Sequence, residues 1–295
     1  MTPRNNSKMN ILNNFEVRKK YARSILLDIC KNPAILGVLG PDQTWAVVGG
    51  AVRDCLITEH PCTKILFRPW PDVDVAVASD EFCVDEHLSE IQDMDFSIQH
   101  NSFGGWKVSS EDTGELDIWK VKLDRPASGL SERWLSYLDN VDFAINAVAF
   151  TWPECEIVVH PRWHDALRKQ LVTRLSSRSV KKHFQAIRGV ALAVKLQITT
   201  GLSFRLGKQI GRDLDWLVGT SHEQVMRESL RYLQHKVSSG RWSFLVLQRF
   251  LLESAKRNYT PSFRELIKDT FADDLRGYVK LRMDDGLSGK QRQLW

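Results

Sequence analysis

The chain has 295 residues, 43% of them hydrophobic and 26% charged, which suits a globular protein with room for two domains. It holds no run of about 18 apolar residues, and its first residues, MTPRNNSKMN, lack the apolar stretch of a secretory signal, so no membrane contact and a cytoplasmic location are expected. The net charge of +5 conceals an asymmetry: residues 1–161 carry 15 Lys and Arg against 24 Asp and Glu, a net of −9, whereas residues 162–295 carry 26 against 12, a net of +14.

That asymmetry has two readings: acidic residues that hold metal ions beside a basic surface for a polyanion, or two solvated surfaces of opposite sign. The five cysteines (Cys30, Cys55, Cys62, Cys83 and Cys155) are odd in number and form no C-x-x-C pair. Reduced thiols and no zinc site are expected.

In chain order, FEVRKKYARSILLDICK sets Val17, Tyr21, Ile25 and Ile29 four residues apart, which predicts a helix with one buried face, ended at Asn32-Pro33. TWAVV reads as a short strand over 44–48, Gly49-Gly50 as its turn and AVRDCLI as the start of a helix. Residues 58–71, with three prolines, read as a loop. DVDVAVA alternates carboxylates with valines and predicts a strand over 72–78; DEFCVDEHLSEIQDM reads as an acidic helix. Strands are expected at 95–100, 105–109, 115–122 and 156–160, with 141–150 open between helix and strand. From about residue 165 the period becomes helical. SVKKHFQAIRGVALAVKLQI puts Val180, Phe184, Ile187, Val190 or Ala191, and Val194 on one face, and Lys181, Arg188 and Lys195 on another. Thr220-Ser221-His222-Glu223 reads as a capping box opening a further helix, and RWSFLVLQRFLLESAK as another. The expected organisation is a mixed α/β head over 1–164 and an all-helical domain over 165–295.

Two features carry chemistry. Gly49-Gly50 ends strand 44–48, and is either a tight turn or a phosphate cradle in which backbone N–H groups and a helix start meet an anion, with Arg53 as a charged donor. It is neither a Walker A loop nor a G-x-G-x-x-G loop. Asp72 and Asp74 lie two apart on a strand and share a face, either as exposed polar positions or as ligands for a hard divalent cation.

In this order, VVGGAVRDCL followed by PDVDVAVAS resembles the head of the tRNA nucleotidyltransferase (CCA-adding) and bacterial poly(A) polymerase family of polymerase-β-type nucleotidyltransferases. GELDIWKVK resembles the later strand carrying its third carboxylate, with Asp117 at the matching position and Glu115 as the fallback. VDFAINAVAF resembles the family's R-R-D-F-T-I-N-A segment, keeping Asp142 and Asn146. HFQAIRGVALAVKL resembles its neck helix, and the likeness spans roughly residues 14–255.

The resemblance implies an α/β nucleotidyltransferase head followed by an all-α neck and body. It implies an enzyme that transfers a nucleoside monophosphate from a nucleoside triphosphate to a hydroxyl, usually a polynucleotide 3′ end, releasing pyrophosphate. Asp72, Asp74 and Asp117 would hold two Mg²⁺ (or Mn²⁺) ions. Gly49, Gly50 and Arg53 would cradle the triphosphate, and Asp142, Asn146, Lys182, Gln185 and Arg188 would contact the nucleotide. Nucleoside triphosphate and nucleic acid are the implied partners, with Lys181, Lys182, Arg188, Lys195, Arg227 and Arg231 as a phosphate-tracking surface. Asn140 and Val141 stand where the family has two arginines, which leaves ribose selection open and admits deoxynucleotides. The base-reading E-D-x-x-R falls on Arg178, Ser179 and Lys182, so a single-nucleotide preference, adenine, is expected rather than CCA synthesis. The alternatives are an oligonucleotide-signal synthase of a bacterial anti-phage system, using dNTPs and joined by a partner protein; a degenerate nucleic-acid-binding subunit; and a toxin that nucleotidylates tRNA or protein.

Overall fold

The structure, a computed structural model, describes residues 15–57, 70–78, 96–100, 104–110, 114–121, 130–175, 181–220, 222–238, 243–255, 257 and 260–270. The chain divides into two units, Met1–Lys169 and Gln170–Trp295.

The first unit opens with helix α1 (Phe15–Cys30), which buries Ala22, Ile25, Leu26, Ile29 and Cys30. The expected apolar row is buried only in its second half, because Val17 is 68% and Tyr21 51% exposed. Spacing fixes which residues share a helix face, not whether anything covers it. Pro33 does not simply stop α1. It starts a second helix, α2 (Pro33–Leu39), in whose first turn its missing N–H costs nothing.

Strand β1 (Trp45–Val48) is buried throughout, and helix α3 (Gly50–Ile57) follows after Gly49. Strand β2 (Trp70–Val77) begins inside the segment read as a loop; the rest of that loop and the acidic helix lie outside the described residues. Strands β3 (Ser97–His100), β4 (Trp106–Ser110) and β5 (Gly114–Lys120) form a meander that brings β5 beside β2 in parallel. Helix α4 (Leu130–Leu138) precedes a 3₁₀ turn (Ala144–Asn146), strands β6 (Val148–Trp152) and β7 (Ile157–Val159), and helix α5 (Pro161–Lys169).

The strands form one mixed sheet in the order β3-β4-β5-β2-β1-β6-β7. β1 lies between β2 and β6, so both its edges are paired, and its four residues are buried on both faces, as its apolar WAVV without alternation requires. Segment 141–150, ambiguous in sequence, becomes a turn and then a strand. Residues 149 and 150 find ladder partners on both sides, in β1 and β7, and pairing settles what propensity left open.

The second unit has a short parallel pair, β8 (Leu171–Val172) with β9 (Arg205–Leu206), and a helical array: α6 (Lys182–Thr200), α7 (Lys208–Gly219), α8 (Glu223–Ser238), α9 (Ser243–Ala255) and α10 (Pro261–Thr270). Ile187, Val190 and Val194 of α6 join Leu214, Leu230, Phe250 and Phe263 in one core. A Cβ on Gly189 would lie 2.8 Å from Ile210, so this glycine sets how closely α6 and α7 approach. The capping box at 220–223 does not form. The Thr220 hydroxyl accepts from the His222 N–H, and Glu223, the first residue of α8, turns forward to pair with Arg227. A capping-box glutamate must be the third helical residue to reach back to the cap. No described helix is long and apolar enough to cross a membrane.

Candidate active site

The first unit assembles its site where β1 ends. Val48 is the register partner of Asp74 across the β1–β2 ladder, so the chain that leaves β1 turns directly at that carboxylate. Gly49 makes the turn with φ +68°, and a Cβ built on it would lie 3.4 Å from Asp74 Oδ2. A positive φ is cheap only for glycine, which explains the residue type at this position. Helix α3 begins at Gly50, so the positive end of its backbone dipoles opens next to the Asp74 side chain. The Gly49 N–H itself is taken by the Val148 carbonyl at 3.1 Å.

The second carboxylate arrives by register. β2 and β5 run parallel with Asp74 directly opposite Asp117, and Trp119, two residues on, shares the Asp117 face. Neighbouring strands are about 4.8 Å apart, so two half-buried carboxylates stand side by side. At that spacing and an effective dielectric of about 20, two negative charges repel by about 3 kcal/mol. A fold that sets them together expects a positive charge between them. Asp72 belongs to β2, at the stretch between Trp70 and Val73 where the register with β5 shifts; its side chain lies outside the described residues. Among the described residues no three His, Cys, Asp or Glu side chains cluster as metal ligands. Glu115, the fallback, is engaged by Lys107 of the neighbouring strand.

Arg53 does not reach outward. It is 1% exposed; its Nε donates to Asp54 Oδ1 at 2.7 Å and its Nη1 to Asn146 Oδ1 at 2.5 Å. As placed, the guanidinium ties α3 to the 3₁₀ turn, and Asp54 is its local partner. Asp142 is half-buried just before that turn. One residue that motif reading missed joins this group. The Tyr137 phenol, at the end of α4, accepts a hydrogen bond from the Trp119 indole and lies within the electrostatic reach of Asp74 and Asp142. Burial, first, and those two carboxylates push its ionisation well above the ordinary tyrosine range. The sequence WLSYLDN carries no signal for this.

The remaining expected residues sit in the second unit. Lys182 and Arg188 are exposed on α6, whereas Gln185 is 1% exposed and turned inward. Lys181 donates to Glu228 at 3.0 Å and Arg227 pairs with Glu223 at 2.6 Å, as solvated ion pairs do. His183 is 4% exposed, edge-on to Phe184 and stacked with Trp216, and burial lowers its pKa. His164 packs against Phe15 and Trp163, and burial lowers its pKa as well. Trp106 is buried with the Lys120 ammonium 5.8 Å above its ring, a packing role.

No protein-family model matches the sequence, and no curated protein matches it. Solved structures do. A CCA-adding enzyme in complex with ATP aligns with a TM-score of 0.54 at 20% identity, over 81% of this chain and 57% of that one. The fold is that of the CCA-adding enzymes. The complex with CTP gives 0.51 at 18% identity over 81% and 57%, and an apo form gives 0.52 at 17% over 81% and 56%. The chain thus spans a little over half the length of these CCA-adding enzyme structures.

Proposed function

We propose that this chain is a metal-dependent, template-independent nucleotidyltransferase. It transfers a nucleoside monophosphate from a nucleoside triphosphate to a hydroxyl, a polynucleotide 3′ end, and releases pyrophosphate. The observation that carries this reading is the pairing of Asp74 with Asp117 across adjacent parallel strands, with Asp74 set against the glycine that opens α3. The likeness in fold to CCA-adding enzymes solved with ATP and with CTP supports it.

The donor set fits Mg²⁺ or Mn²⁺, since carboxylate oxygens suit hard cations and two adjacent carboxylates cancel their repulsion on one. Asp74 and Asp117 would hold the metal, with Asp72 as the third ligand. When bound, the metal lowers the pKa of the attacking hydroxyl and neutralises the triphosphate. The chain's own residues do the rest. The first turn of α3 directs N–H groups toward the triphosphate, with Gly50 leaving room for it. Arg53, locked by Asp54 and Asn146, keeps α3 and the 3₁₀ turn in fixed relation, so positioning supplies much of the catalysis. The exposed Lys182 and Arg188 of α6 supply positive charge for nucleic acid. Adenine preference and a cytoplasmic site of action belong to the same reading.

The test is incubation of the protein with each labelled NTP and dNTP, with and without RNA, with mass analysis of the products. Addition of nucleotide to RNA, dependent on a divalent cation and lost in Asp74→Ala with Asp117→Ala, is expected. Undiminished synthesis by that double variant would overturn the site, and short oligonucleotides made without RNA would replace the acceptor with the enzyme's own product.

A further inference from the structure

We infer that the outer side of α7 binds single-stranded nucleic acid, with Trp216 as a base-stacking platform and Lys208 and Arg212 as phosphate contacts. The inference concerns the second unit and does not depend on the site in the first.

Helix α7 turns one side inward, where Ile210, Asp213, Leu214, Leu217 and Val218 are buried. Its other side carries Lys208, Arg212 and Trp216, four residues apart and all exposed. The row is about 12 Å long at about 1.5 Å per residue. That is the length of about three to four stacked nucleotides at about 3.4 Å each.

The indole at the end of the row is 41% exposed, yet it is held. Its ring stacks with that of His183, centroids 6.3 Å apart and planes 26° from parallel. His183 is buried and edge-on to Phe184 at 4.2 Å. One face of the indole is thus backed by the molecule, and its open area lies on the other face and the edge. A ring already fixed in place loses little freedom when a base stacks on it.

The charge around the indole is positive and uncommitted. Neither Lys208 nor Arg212 has a carboxylate partner among the described residues. The acids of α7 are taken: Asp215 receives Arg257 at 2.5 Å, and Asp213 receives Arg174 at 3.0 Å. Positive charge alone would suit any polyanion, and an exposed indole alone any flat apolar group. In one row they match a chain that joins phosphates to planar rings. A duplex keeps its rings inside the stack, so the fit is to an unpaired strand. An acidic peptide offers the charge without the rings.

The experiment measures binding of a labelled single strand of about ten nucleotides to the full chain, without triphosphate, across a salt series. The comparison strands are its duplex and an abasic strand of equal length; unlabelled strand and polyglutamate are the competitors. Trp216→Ala should weaken single-strand binding about tenfold or more and leave the duplex little changed. Trp216→Phe, which keeps a ring, should retain most of the affinity. Lys208→Gln with Arg212→Gln should flatten the dependence of log K on log salt by about 1.4, two contacts at about 0.7 each. These two changes are on the surface, so they test the inference even if Trp216→Ala fails its thermal melt. Unchanged binding by a folded Trp216→Ala variant, or an unchanged salt slope in the lysine–arginine variant, overturns the inference. Equal affinity for the abasic strand, or displacement by polyglutamate as effective as by unlabelled strand, shows a surface that reads charge alone and overturns it as well. None of these results touches nucleotide addition, and a chain that binds the strand but adds no nucleotide overturns the nucleotidyltransferase reading alone.

Discussion

The two units place their carboxylates differently. In the second, Asp213 is 2% exposed and its carboxylate receives Arg174 Nη1 at 3.0 Å and Gln209 Nε2 at 3.1 Å. Its charge is matched inside the unit, as a structural ion pair requires. In the first unit the sheet register places Asp74 and Asp117 side by side, like charge beside like charge. Matched charge holds a fold together. Juxtaposed like charge favours a bound cation, which is how a binding site differs from a core contact.

Substitutions separate these two kinds of carboxylate. The largest effect is expected from Asp74→Asn or Asp117→Asn, each of which should reduce nucleotide addition by on the order of a thousandfold. Primer extension and a thermal melt on the same sample separate the loss of activity from any loss of stability. Asp213→Ala should show the reverse pattern. It strands the largely buried Arg174 and should cost about 3–5 kcal/mol of stability in urea titrations. A loss of activity in this variant without a loss of stability would break the contrast between the units.

Gly49→Ala lies between these extremes. The left-handed φ makes it cost about 1–2 kcal/mol, and the new Cβ touches Asp74, so activity should fall further than stability explains. The smallest effect concerns pH. His183 in the fold has a pKa below its ordinary 6.5, chiefly from burial, with Lys181 adding to the shift and Glu228 opposing it. The unfolded chain therefore binds more protons as pH falls through 6.5, and stability is lost as pH drops toward the folded value. His183→Phe should flatten the decline of melting temperature between about pH 7 and 5. His164 titrates in the same sense, so part of the slope should remain.

Much of this was legible in the sequence because it is local. Alternation in DVDVAVA names a strand, two glycines after WAVV name a turn, and helical spacing in HFQAIRGVALAVKL names the buried face of α6. The mixed-sheet head with a helical remainder followed from the same patterns. The sequence could not say that Val17 and Tyr21 would stay exposed, that Arg53 would be enclosed by Asp54 and Asn146, or that Gln185 would turn inward while Lys182 faces water. Nor could it find Tyr137. Those outcomes depend on which distant segment arrives alongside. Position 117 meets position 74 because a meander returns in parallel. Short-range periodicity is set by the backbone's own repeat, whereas pairing between remote segments is settled by the whole molecule packing at once.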